Sequence, residues 1–240
     1  MGKVAKKDAS ISAGLFPRIK VRCTLTEEAL GMTAPTPELL QKFIDLQNTK
    51  LEKKKKAAID DDKAKEEVEL LKNQIAEMKN NARGYTVFPR DKDGCPIFWD
   101  YQIKGMFKDA FKALLESDLN TSLFKKETCG FTKWSSDRLV DQLIFPHPRR
   151  IRIMLPEGGE IGRCDRPLRT RNPQTGQEGN AIASSETVPA GSVIEFEVEL
   201  LKKDILPQVK AVFEYGRLRG LAGWRNSGKG RYEYEIVEDL

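Results

Sequence analysis

The sequence predicts an α+β fold in which an antiparallel sheet carries two helices on one face. Two stretches alternate with period two, the pattern of a strand with one buried face. These are Ile19, Val21, Cys23 and Leu25 against Lys20, Arg22 and Thr24, and Ile194, Phe196, Val198 and Leu200 against Glu195, Glu197 and Glu199. Two others carry an apolar face at helical spacing: Phe107, Ala110, Phe111, Leu114 and Leu115, then Ile205, Val209, Val212 and Phe213. The elements come in the order strand, helix, strand pair, strand, helix, strand, which is the order of ferredoxin-like and RRM-like folds.

Residues 1–17 read as a polar, flexible N-terminus before the first strand. Pro35 and Pro37 then break the chain. Residues 37–83 read as a charged helical-hairpin insertion, with Leu40, Phe43 and Ile44 on one limb. Val68, Leu71, Ile75 and Met78 form a heptad-like seam on the other. Residues 18–36 and 84–240 are expected to form one domain, interrupted by that insertion.

Past Gly84, the run Asp91-Lys92-Asp93-Gly94 is a turn signal. The first amphipathic helix is expected to begin near Lys104-Gly105, where free amides meet an anion readily. Phe131 and Trp134 are expected in the core. Leu143 to Phe145 and Arg150 to Leu155 give two short strands, separated by Pro146-His147-Pro148. Residues 158–185 are polar and show no periodicity, so they read as a long loop. The second amphipathic helix, from Asp204 to Tyr215, leads into a glycine-rich segment and a last strand through Tyr232, Tyr234 and Ile236.

That segment, Gly216-Arg217-Leu218-Arg219-Gly220-Leu221-Ala222-Gly223-Trp224-Arg225-Asn226-Ser227-Gly228-Lys229-Gly230-Arg231, is where the chemistry concentrates. Its glycines admit positive φ and close approach of another backbone. Its cations and exposed amides favour the same anionic partner. The plainer reading is a glycine-rich turn with ordinary solvated cations. Gly223-x4-Gly228-Lys229 superficially matches a P-loop. Gly230 stands where Ser or Thr would bind magnesium, and a strand follows rather than a helix, so a nucleoside triphosphatase is excluded.

Composition sets the remaining bounds. The chain has 240 residues, 32% of them charged, and a formal net charge of +5, which permits a nucleic-acid partner without requiring one. The second basic concentration, Arg149, Arg150, Arg152, Arg163, Arg166, Arg169 and Arg171, uses arginine, which suits bidentate phosphate contacts. Cys23, Cys95, Cys129 and Cys164 form no CxxC pair and His147 is the single histidine, so neither zinc nor a disulfide framework is expected. No cofactor is indicated. No apolar run approaches a membrane span and no signal peptide is visible, so a cytoplasmic protein without membrane association is expected.

In three places the sequence resembles the RAMP superfamily, the RNA-binding proteins of CRISPR effector complexes. Leu218-x-Gly220-Leu221-x-Gly223-Trp224-Arg225-Asn226-Ser227-Gly228-Lys229-Gly230-Arg231 is similar to the family's glycine-rich loop before the last strand. Ile103-Lys104-Gly105-Met106-Phe107 is similar to its extended segment running into a Lys-Gly helix start. Glu186-Thr187-Val188-Pro189-Ala190-Gly191, followed by Phe196, is similar to its Glu-x-Val-Pro-x-Gly approach to a strand. The resemblance covers about residues 18–30 and 85–238 and leaves out the insertion. Phage and prophage proteins also carry this pattern, so it allows a bacterial or phage-infected host setting.

The resemblance implies a grip on the sugar-phosphate chain of single-stranded RNA, or single-stranded DNA. It assigns that duty to Lys104, Gly105, Arg217, Arg219, Gly220, Gly223, Arg225, Gly228, Lys229, Gly230 and Arg231. Trp224 or Tyr101 is available to stack on a base. Some family members cut RNA with a histidine. His147 is the only imidazole here, and between Pro146 and Pro148 it reads more plainly as a turn residue between strands, so the expectation leans towards a non-catalytic binder, with an RNA endonuclease as an alternative. A second reading is a phage-encoded protein that engages a host complex. The insertion, residues 37–81, would then be its site of self-association or of a protein partner.

Overall fold

The computed structural model describes residues 16–34, single helical residues between 41 and 72, and residues 85–117, 122–171, 176 and 178–239. In chain order the main elements are β1 (Arg18–Leu25), β2 (Ala29–Leu30), β3 (Tyr85–Thr86), β4 (Ile97–Trp99), α1 (Asp100–Glu116), α2 (Ser136–Leu143), β5 (Ile144–His147) and β6 (Arg150–Met154), with one short helical turn, Lys126–Cys129, between α1 and α2. There follow β7 (Gly162–Arg171), β8 (Glu178–Val188), β9 (Val193–Leu200), α3 (Leu206–Arg219) and β10 (Tyr232–Asp239). The residues separate into two compact units, one of residues up to 29, 90–160 and 188–240, the other of 30–89 and 161–187.

The first unit is built on a sheet in the order β10-β1-β9-β6-β4, with β5 also paired to β9. Strands β5 and β6 run along the same side of β9, one at each end: Ile144 lies opposite Leu200 and Ile153 opposite Ile194. The β5–β6 path is three residues longer than the stretch of β9 it faces, and the excess bulges out around Pro148. With that path taken as one strand, the order β10-β1-β9-β5/β6 and the antiparallel pairing are those of a ferredoxin-like α+β fold, with α1 and α3 as its two helices.

Period two decides which face is covered. Ile19, Val21, Cys23 and Leu25 of β1 and Ile194, Phe196, Val198 and Leu200 of β9 are buried. They meet Ile103, Met106, Phe107, Ala110 and Phe111 of α1 and Val209, Val212 and Phe213 of α3. Phe213 is the aromatic hub, edge-on to Phe107 at 5.4 Å and stacked on Tyr234 at 5.4 Å. Phe131 is buried and stacks on Phe111 at 4.5 Å. Trp134, expected in the core, is 95% exposed. It lies in the turn before α2, whose own register buries Val140 instead.

The uncovered face of the sheet is an ion-pair ladder. Arg18 reaches Glu197 at 3.1 Å and Glu199 at 3.4 Å, and Arg22 lies between Glu195 at 2.6 Å and Glu235 at 2.9 Å. Glutamates of β9 stand beside Arg18, Lys20 and Arg22, and Glu235 of β10 stands beside Arg22 as well, so this face is a poor platform for a polyanion.

In the second unit, residues 158–185, read above as a loop, form most of a hairpin. β7 and β8 pair antiparallel from Gly162 opposite Thr187 to Arg171 opposite Glu178, and β3 joins β8 in parallel. Four successive polar residues of β8, Ser184 to Thr187, are buried, and the side chains of the first three are hydrogen-bonded within the unit. Thr86 and Ser185 share a hydroxyl hydrogen bond at 2.7 Å, and the buried Glu186 carboxylate accepts the Phe88 amide at 2.8 Å. Hydrogen bonding replaces the apolar alternation by which strands are ordinarily recognised.

Of residues 37–83, expected to form a helical-hairpin insertion, Gln41, Ile44, Asp45, Asn48, Thr49, Leu51, Glu52, Val68 and Lys72 are described and helical, with Ile44, Leu51 and Val68 buried. The seam through Leu71, Ile75 and Met78 lies outside the described residues.

Candidate nucleic-acid interface

The glycine-rich segment divides between two elements. Gly216, Arg217, Leu218 and Arg219 belong to α3, which runs past the predicted end at Tyr215 to Gly220, its cap. Gly216 stays helical because it has a packing duty: a Cβ there would overlap the buried Tyr232 hydroxyl. The loop proper is 220–231.

Its two limbs cross. Leu221 N–H donates to Gly230 O at 2.8 Å, Gly220 N–H to Gly216 O at 2.7 Å, and Gly230 N–H to Glu28 O at 2.8 Å. A Cβ on Gly230 would overlap the Leu221 carbonyl and one on Gly220 the Lys229 carbonyl. Gly220, Gly228 and Gly230 take positive φ, as glycine allows. Gly223 does not; its neighbours Ala222 (φ 66°) and Trp224 (φ 58°) do, so side-chain-bearing residues hold the left-handed backbone there. Such strain persists where the surroundings over-determine it, and it clusters at sites of function. The amides of Gly220, Leu221, Ser227, Gly228 and Gly230 are committed to backbone carbonyls, contrary to the expectation that the loop holds its amides open.

The cations are not free either. Arg217 lies 3.5 Å from Glu214 and 3.4 Å from Glu233, and Lys229 lies 2.7 Å from Glu28. Arg219 and Arg225 both close on Asp109 of α1, Nε at 3.2 Å and Nη1 at 3.1 Å from the same oxygen, Oδ2. Arg219 also donates to Asn226 Oδ1. Arg231 donates to the Leu218 carbonyl at 3.1 Å and is exposed. Arg217 and Lys229 are therefore neutralised one by one. Around Asp109, two guanidiniums share a single carboxylate with Arg231 on the same loop, and positive charge is in excess.

Helix α1 starts earlier than Lys104-Gly105. Its first residue is Asp100, and the Trp99 amide donates to Gln102 Oε1 at 2.8 Å. Lys104 and Gly105 lie in the second turn, where amides belong to the helix's own ladder, so the expected free amides are not at these positions. The two residues also face different ways. The Lys104 ammonium turns towards α2 and β5, donating to Asp141 O at 3.1 Å and lying 4.6 Å over the Phe145 ring. Burial pushes its pKa down, against the opposing pull of Asp141. Gly105 is exposed, and a Cβ there would meet nothing within 4 Å. It precedes Asp109 by four residues and shares its side of the helix.

His147 sits at the end of β5 on the uncovered sheet face, its Nε2 3.3 Å from Glu199. It is not part of the loop–α1 arrangement. Tyr101 is 54% and Trp224 40% exposed, so neither is core. Asp109, the residue that holds the loop to the helix, carries no signal in the sequence. Its partners are 110 and 116 residues away, and it lies among ordinary helix surface residues.

No helix among the described residues is long and apolar enough to cross a membrane. No family model matches the chain, and no curated protein matches its sequence. Among solved structures, the chain is similar to a chain of "Cryo-EM structure of the Type III-B Cmr-beta bound to cognate target RNA". The two are 10% identical with a TM-score of 0.46, over 94% of this chain and 61% of that one, so this chain spans about three fifths of the length of that neighbour.

Proposed function

We propose that the chain is a non-catalytic, RAMP-type binder of single-stranded RNA that holds the sugar-phosphate chain between the 220–231 loop and helix α1. The observation that carries this reading is the pair of guanidiniums, Arg219 and Arg225, on one Asp109 oxygen, one helical turn from the uncovered Gly105. A carboxylate that shares two arginines leaves them with unused donors, and arginine presents those donors in a planar fork suited to phosphate oxygens. Glycine inside a helix costs about 0.5–1 kcal/mol relative to alanine, and no packing within the described residues demands it at 105. A ligand backbone lying against α1 at that point supplies the missing reason.

The grip narrows to Arg219, Arg225 and Arg231 over the framework of Gly220, Gly228 and Gly230, with Gly105 as the contact point on α1. Arg217, Lys229, Lys104 and Gly223 then act in shaping the loop and its surroundings. The glutamate-rich sheet face directs a polyanion to the helix side. Fluorescence anisotropy with labelled single-stranded RNA and DNA at two salt concentrations tests the proposal. Binding that weakens as salt rises and falls in Arg219→Ala and Arg225→Ala is expected; absence of binding at low salt overturns it.

A further inference from the structure

At the N-terminal end of α1, the side chains make a second surface, separate from the glycine loop. Tyr101 stacks on Trp99, ring centroids 6.2 Å apart and planes within 12°, yet more than half of it remains exposed. The Arg149 guanidinium lies 5.9 Å over Trp99 and 6.0 Å over Tyr101, and Arg150 lies 5.4 Å over Trp99. Arg149 is held by both oxygens of Asp100, each at 3.1 Å. An aromatic tier with two arginines and an exposed tyrosine contributes little to the core. Its features are those of a stacking platform for a flat, polyanion-borne ring: a π-face for the base and guanidiniums for the phosphates beside it.

Its position connects it to the loop. Tyr101, Gly105 and Asp109 follow one another at i, i+4 and i+8 and so line one side of α1. The stripe runs from the aromatic tier, past the uncovered glycine, to the carboxylate that holds Arg219 and Arg225, a distance of about 12 Å at the helical rise.

We infer that Tyr101, supported by Trp99, Arg149 and Arg150, is a nucleobase-stacking site. The RNA strand then runs lengthwise along α1, phosphates at the loop end and a base on Tyr101 at the other. The inference rests on the proposed RNA binding and adds to it the track of the strand and a base contact without sequence preference, since every base has a π-face.

The test uses the full chain and a fluorescein-labelled oligouridylate of about fifteen nucleotides, in anisotropy titrations at two salt concentrations. Tyr101→Ala is expected to weaken binding about tenfold with the salt dependence unchanged, and Tyr101→Phe to keep wild-type affinity. A matched oligonucleotide of abasic sites is expected to bind the wild type more weakly, and Tyr101→Ala to tell the two oligonucleotides apart no longer. Tyr101→Ala binding like the wild type, or losing salt dependence along with affinity, overturns the stacking site while the loop grip stands. If the wild type binds neither oligonucleotide, the RNA reading itself fails. Tyr101 is exposed, and an unchanged melting temperature shows that the variant is folded.

Discussion

Tyr232 fills the space beside Gly216 so closely that the glycine could carry no side chain without displacing the tyrosine hydroxyl. That packing ties α3 to β10 immediately before and after the 220–231 loop. The hydroxyl lies 3.2 Å from Met106 Sδ and 3.4 Å from the Phe213 carbonyl, so it is enclosed by both helices. Gly216→Ala gains about 1 kcal/mol of helix propensity, but overpacking the core costs typically about 1–3 kcal/mol. A net loss of stability is expected in urea titration. Placing the change in a Tyr232→Phe background recovers part of that loss, which a double-mutant cycle detects.

Gly105→Ala separates stability from binding. The added methyl meets open space and removes a helix glycine, so the variant is expected to be more stable by about 0.5–1 kcal/mol. The same methyl stands where the RNA backbone is proposed to lie, so affinity falls. A variant with a higher melting temperature and undiminished RNA binding contradicts the proposed contact.

Asp109→Asn and Arg225→Ala act in opposite directions on the electrostatics. Asparagine keeps an oxygen that accepts from both guanidiniums but removes the negative charge beside them, so RNA binding is expected to tighten and its salt dependence to steepen. Arg225→Ala reduces the slope of log K against log salt by about 0.7 for each single-strand phosphate that is no longer neutralised. The ion pairs at Asp109 are partly exposed, so the stability cost of Asp109→Asn stays near or below about 1 kcal/mol per pair. Titrations at three or more salt concentrations check both signs.

Alkaline pH loosens the fold through β10. Burial first, and then a 2.8 Å hydrogen bond to Glu214, push the Tyr234 phenol up to about 12, from an ordinary value near 10. Burial moves the Tyr232 phenol the same way. A phenol whose folded pKa is raised stabilises the fold fully below its unfolded pKa. That stability is lost as pH climbs from about 10 towards 12. Urea midpoints are expected to drop across this window, and less steeply in Tyr234→Phe.

Legible in the sequence are those parts of the fold in which one face is apolar and the other is not. β1, β9 and the buried sides of α1 and α3 are of this kind, and with them comes the ferredoxin-like order. β7 and β8 are hidden because Ser184, Ser185, Glu186 and Thr187 are buried as polar groups, and hydrogen bonding leaves no hydrophobic periodicity to read. Residue type alone puts Trp134 in the core, but one turn of chain suffices to carry an indole outward. The beginning of α1 reads too late because Gly105 resembles a boundary, whereas the Gln102 side chain caps the helix three residues after Trp99. At the candidate site, the basic loop and its glycines are plain in the sequence. Asp109 and Glu28, which hold Arg219, Arg225 and Lys229, are not, because pairing across more than a hundred residues is a property of the tertiary fold.

The Asp109 clamp has a kinetic and entropic consequence of its own. A solvated arginine samples many rotamers and must surrender them on meeting an anion, at about 0.5–1.5 kcal/mol per immobilised side chain. Arg219 and Arg225 surrender them during folding, because one oxygen atom fixes both heads beside the helix. An arriving phosphate therefore meets two guanidiniums already drawn together, with part of their ordering completed, and the clamp acts as a rehearsal of the bound state.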